Sequence, residues 1–233
     1  MKLGLDLSLE DNAKVLTWKP SDESSCEFWY KFATGFTLVS GAVSLWDDKS
    51  SNNNDAVQGT ASHRPTLVGT YSVTFDSSNT ENLHISSQVS IAGDFTIAMA
   101  LNMTSAGGIL IGDNTTTGEF IKIFSTNKLR VRIDGNTAVD LQLDSGTLLG
   151  ENNYLVITRS TVDGTANTLR MYWNGVLQAD TEVMAGTADI DSLGVRATDT
   201  NPFNGVMYEV MLFDSVSDAL TNNINLRLGT LPL

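Results

Sequence analysis

The chain has 233 residues, 41% of them hydrophobic, with 27 acidic against 14 basic side chains and a formal net charge of −13. That apolar content supports a packed core and argues against wholesale disorder, and the length fits a single all-β domain. The average field repels polyanions and anionic bilayers, so no nucleic-acid or membrane partner is expected; the single cysteine, Cys26, excludes an intrachain disulfide.

Residues 1–26 differ in texture from the rest. Leu3, Leu5, Leu7 and Leu9 alternate with polar residues as a strand does, ahead of Pro20 and the Ser-rich run 21–25. Two readings stand for this segment: an extra strand of the same domain, or an arm that anchors on a neighbouring subunit through those four leucines. Met1–Glu10 lacks the continuous apolar stretch of a signal peptide, and no later stretch is long enough to span a bilayer. Synthesis in the cytoplasm without export is therefore expected. Cys26, beside Phe28 and Trp29, reads as a small buried hydrophobe.

From residue 27 to 233 the dominant signal is alternation with period two. Tyr71, Val73 and Phe75 share one face, and Phe95, Ile97, Met99, Leu101 and Met103 extend the pattern over nine residues. Shorter strands are predicted at 120–124, 154–158, 193–196 and 205–213. Leu129, Val131 and Ile133 lead into Asp134-Gly135, a strong two-residue hairpin signal, and Val139, Leu141 and Leu143 return. Leu169, Met171 and Trp173 run into a second such turn at Asn174-Gly175. One helix is predicted, capped by Ser217, carrying Leu220, Ile224 and Arg227 at helical spacing, and stopped by Gly229 and Pro232. Strands at roughly ten-residue intervals with turn signals between them indicate two antiparallel sheets packed as a sandwich.

Several runs together resemble a known family: Glu27-Phe28-Trp29-Tyr30, Trp46-Asp47-Asp48-Lys49-Ser50-Ser51-Asn52, Arg64-Pro65, Val73-Thr74-Phe75-Asp76, Tyr172-Trp173-Asn174-Gly175 and Phe203–Phe213. In this order and spacing they are similar to concanavalin A-like lectin/glucanase domains of the laminin-G/pentraxin type. The resemblance implies an all-β, two-sheet antiparallel jelly-roll sandwich with one short C-terminal helix. Ser51 and Ser77 stand where glycine is common in that family. Such domains are frequent in virion proteins of tailed bacteriophages. The resemblance therefore implies, first, a non-enzymatic structural protein of a virion, with capsid or tail subunits as partners and a homo-oligomeric state. The alternative is a lectin-like module for host polysaccharide.

Glucanases of this superfamily carry Glu-x-Asp-x-x-Glu on one strand. No such run is present: Glu119 is followed by Phe-Ile-Lys-Ile and Glu209 by Val-Met-Leu-Phe, so no enzymatic activity is expected. His63 and His84 lack metal-ligand spacing. Asp47, Asp48, Asn52 and Asn54 gather hard oxygens suited to calcium in one loop, and Asp76, near Asn79 and Glu81, offers a second group. The other reading of these residues is an Asx-rich turn bonded to its own backbone. Trp46, Tyr71, Trp173 and Tyr208 are the aromatic candidates for sugar stacking, with core burial the expected role of each.

Overall fold

The structure, a computed structural model, describes residues 18–233. The proposed anchoring leucines Leu3, Leu5, Leu7 and Leu9 lie outside the described residues. Among the described residues, seventeen strands and one α-helix follow in chain order. They are β1 (Cys26–Tyr30), β2 (Phe36–Val39), β3 (Ala42–Trp46), β4 (Ala56–Val57), β5 (Thr66–Val68), β6 (Ser72–Phe75), β7 (Leu83–Ile91), β8 (Phe95–Met103) and β9 (Ile109–Gly112). Then come β10 (Phe120–Ser125), β11 (Lys128–Arg132), β12 (Val139–Gln142), β13 (Asn152–Val162), β14 (Thr165–Trp173), β15 (Val176–Val183), β16 (Ala188–Leu193), β17 (Gly205–Phe213) and α1 (Asp218–Gly229).

All named strand pairs are antiparallel and form two layers. The first runs β1-β17-β8-β13-β14-β15. The second runs β12-β11-β10-β9-β16-β7-β4-β3-β2. Strand β6 pairs with β17 and with β5, which touches β3, so the two layers join along one side. The opposite side is stitched by side chains of the two edge strands. Asp180 accepts the Gln142 amide at 2.7 Å, Gln178 accepts the Asp144 amide at 2.9 Å, and Asp144 accepts the Ala179 amide at 3.0 Å. The all-β sandwich with one C-terminal helix is thus the observed fold.

The main core lies between the layers and takes the alternating rows read from the sequence, among them Ile97, Met99, Leu101, Leu129, Val131, Leu169 and Met171. The hairpin at Asn174-Gly175 forms as predicted, pairing Trp173 with Val176 across two residues at positive φ, whereas Asp134-Gly135 makes the expected positive-φ turn inside a longer loop that pairs Val131 with Val139. A third pair, Asp163-Gly164, adopts the same conformation and joins β13 to β14, making β13 eleven residues long where a short strand at 154–158 is expected. The strand expected at 193–196 lies earlier, at Ala188–Leu193. Tyr71 precedes its strand and is exposed, stacked on Phe32 with ring centroids 6.0 Å apart.

A second apolar cluster covers the outer face of the first layer. Helix α1, with the Ser217 hydroxyl capping the Leu220 amide at 3.0 Å, lays Leu220, Ile224 and Leu228 over Ala98, Ala100, Val156 and Met211. Both faces of β8 are buried for this reason. Beneath the helix, the fully buried Glu209 accepts from Trp29 Nε1 at 2.7 Å and from Arg227 Nε at 2.5 Å, tying α1 to β17 and β1.

Candidate functional site

Because α1 covers only part of the first layer, the rest of that outer face is open. Strand pairing sets Thr158 on β13 beside Arg170 on β14, with Tyr172 two residues along β14 from Arg170. The start of α1, at Val216–Asp218, forms one wall. Asp94, from the β7–β8 turn, and Asp163, from the β13–β14 turn, stand at the rim. Together with Ser160 and Thr221 these residues line an open cleft of about 460 Å³. Arg170 makes no hydrogen bond or ion pair with a described residue, so its guanidinium is available to a ligand. One half-buried aromatic ring, one cation, three hydroxyl side chains and several carboxylates are the chemistry that recognises a polyhydroxylated ring: a flat apolar face for C–H contact and a few fixed donors and acceptors.

Sequence reasoning missed this cleft. Reading Leu169, Met171 and Trp173 as the core row leaves Arg170 and Tyr172 on the other face by the same alternation, and that was the signal that could have found them. Of the aromatic candidates, Trp46 is fully buried in the core and Tyr208 is buried beneath the helix side. Trp173 packs partly against the main core, so none of these three offers an open ring face.

The Asx-rich loop is bonded to its own chain. The Asp48 carboxylate accepts the amides of Trp29 and Ser50 at 2.8 Å and of Asn54 at 2.9 Å, and the Ser50 hydroxyl at 2.6 Å. Asn52 and Asn54 donate to the Glu27 carbonyl at 3.1 and 2.9 Å, and Asp47 pairs with Lys49. This is the Asx turn of the second reading, and it holds the loop against β1. Asp76 stands in a separate turn, where it accepts the Ser78 amide and hydroxyl, and those bonds lower its carboxyl below the usual range. Among the described residues no three His, Cys, Asp or Glu side chains converge as a metal site. His63 and His84, far apart in sequence, both face Asp199, at 3.6 and 3.3 Å.

Both glutamates named in the sequence are buried and hydrogen-bonded. Glu209 is enclosed under α1. Glu119 is 5% exposed and accepts the amides of Asp134 and Asp189; burial first, and then the neighbouring aspartates, push its carboxyl up to about 7 against the opposing pull of those hydrogen bonds. The buried Cys26 thiol is driven well above its ordinary value by burial and then by Asp48, as an inert hydrophobe's would be.

A family model described as the concanavalin A-like lectin/glucanases superfamily, Laminin_G_3, matches residues 69–221. No curated protein matches the chain. Domain 4 of AbnA, a GH43 extracellular arabinanase from Geobacillus stearothermophilus, in complex with arabinotriose, aligns with a TM-score of 0.59 at 12% identity, over 86% of this chain and 98% of that one. A Trypanosoma rangeli sialidase in complex with sialic acid aligns at 0.55 and 12% identity, over 90% of this chain but 34% of the sialidase. A CBM40 of Ruminococcus gnavus IT-sialidase bound to α2,3-sialyllactose aligns at 0.43 and 18% identity, over 58% and 83% of the two chains. At these identities the first two likenesses establish a common fold.

Proposed function

The chain belongs to the concanavalin A-like lectin/glucanase superfamily, and from that membership we propose that it is a non-catalytic carbohydrate-binding module whose ligand occupies the cleft beside α1. The observation that carries this reading is the cleft itself, with Tyr172 and the unengaged guanidinium of Arg170 on one strand face among the hydroxyls of Thr158 and Ser160. Support comes also from the arabinanase domain, which shares the fold over nearly its whole length and is seen with arabinotriose.

The reading as a virion decoration, which the sequence resemblance favours, has less behind it. None of the neighbours named above is a virion component, and its anchoring leucines lie outside the described residues. Binding to host or environmental polysaccharide stands as the better-supported role.

The test is a glycan array followed by calorimetry on the best neutral ligand, arabinotriose included. Tyr172→Ala and Arg170→Ala are each expected to weaken binding about tenfold or more with no change in fold. A blank array, or a ligand whose affinity ignores both substitutions, overturns the assignment.

A further inference from the structure

We propose that the outer face of β10, β11 and β12, on the other side of the sandwich from the Tyr172 cleft, binds acidic glycans, that is, chains bearing carboxylate or sulfate groups. The strand registers place Phe120 opposite Arg132, and Lys122 opposite Arg130. Arg196, arriving from the loop after β16, lays its guanidinium 4.5 Å from the Phe120 ring centroid. These residues and the Asn136 turn line an open cleft of about 370 Å³.

Four cations stand here with one carboxylate. Asp140 takes Arg130 in a two-bond fork at 2.6 and 2.9 Å, and Arg130 covers the Phe124 ring at 3.4 Å, so this pair is internally satisfied. The other three cations have no carboxylate among the described residues. Arg132 is held by the Asn136 and Gly135 carbonyls at 2.8 and 2.9 Å, and Arg196 by the Thr117 carbonyl at 3.0 Å. Lys122 has its amine over the Phe124 ring, 5.9 Å from the centroid. In a chain with nearly two acids for every base, leaving these cations unneutralised works against stability, since like charges repel. The strain shows in the side chains themselves: burial, then Arg196 and Arg130, holds the Lys122 amine below its ordinary value, and burial, then Arg132, does the same to Arg196.

The geometry favours compact, singly charged anionic groups on a hydroxylated chain. Guanidiniums fixed by carbonyls and rings lose little freedom on binding and match the planar fork of a carboxylate or the oxygens of a sulfate. The rings are capped by cations, so they offer no platform for stacking bases, and the net charge of −13 opposes a long phosphate backbone.

The full chain is titrated by calorimetry with polygalacturonate, with heparin, with neutral arabinan and with single-stranded oligo-dT, at low and high salt. The expected result is salt-sensitive binding of polygalacturonate or heparin, the two probes separating carboxylate from sulfate. That binding falls at least about tenfold in K122Q/R196Q and is unchanged in Y172A. Circular dichroism checks the fold, and should the double variant be poorly folded, K122Q alone is expected to give a severalfold loss. No binding to either acidic polysaccharide, binding indifferent to these variants, or oligo-dT bound as tightly overturns the proposal. Because the arabinan arm reports on the Tyr172 cleft, failure of one site is read independently of the other.

Discussion

Arg159 is fully buried and has no carboxylate partner among the described residues. Its guanidinium sits 4.7 Å from the Phe95 ring centroid and donates to the carbonyls of Ile91, Gly93 and Gly186, binding the end of β7 to the loop before β16. Burial lowers its pKa from the arginine value, yet so high a starting point keeps it charged. A lysine supplies one compact ammonium where a planar fork serves three carbonyls. Arg159→Lys is therefore expected to cost about 2–3 kcal/mol, seen as a lowered urea midpoint with an unchanged slope. Nothing in the local sequence announces this role: the notable fact is which carbonyls surround the side chain, and those come from residues more than sixty positions away on one side and 27 on the other. The meeting of His63 and His84 at Asp199 is hidden in the same way.

At the scale of elements, the hairpins were legible because Asp-Gly and Asn-Gly turns carry their conformation in two residues. Helix α1 was legible through its cap and spacing. Its target was not, since Ala98 and Ala100 look like the solvent row of β8 until something covers them. The helix is tied down by Arg227 on Glu209, and removing one partner leaves a carboxylate stranded without its cation. Arg227→Met is expected to destabilise by about 3 kcal/mol, and adding Glu209→Gln to recover much of that loss, because an amide still accepts from Trp29 Nε1. Thermal unfolding of the two variants measures both numbers. Equal loss in single and double variants would mean that packing, not charge, holds the helix.

For the whole molecule, acidity and burial combine into a pH dependence. Glu119 has a folded pKa raised to about 7, and Glu27, Glu81 and Asp191 are also raised, mainly by burial. A raised carboxyl keeps its proton in the folded chain after the unfolded chain has lost it, so folding stability falls as pH climbs from the unfolded value near 4.5 through 7. Allowing for solvent screening, the Glu119 share is about 1–2 kcal/mol. Melting temperature is expected to decline from pH 5 to 8, and Glu119→Gln to flatten the decline; a curve rising over that window would refute the assignment. The sandwich and its C-terminal helix could be read from alternation and turn signals, whereas the two candidate binding faces depend on which loops and strand faces meet in space. The stitching of β12 to β15 through Asp144, Gln178 and Asp180 on one side and the β6 bridge on the other engage backbone amides along both margins. Endoproteases take their substrates as extended segments that pair with an enzyme strand, so the margins of this sandwich offer them little to grip. Limited proteolysis is thereby expected to cut first at loop tips such as 144–147 and 163–164, which mass spectrometry of the fragments would map.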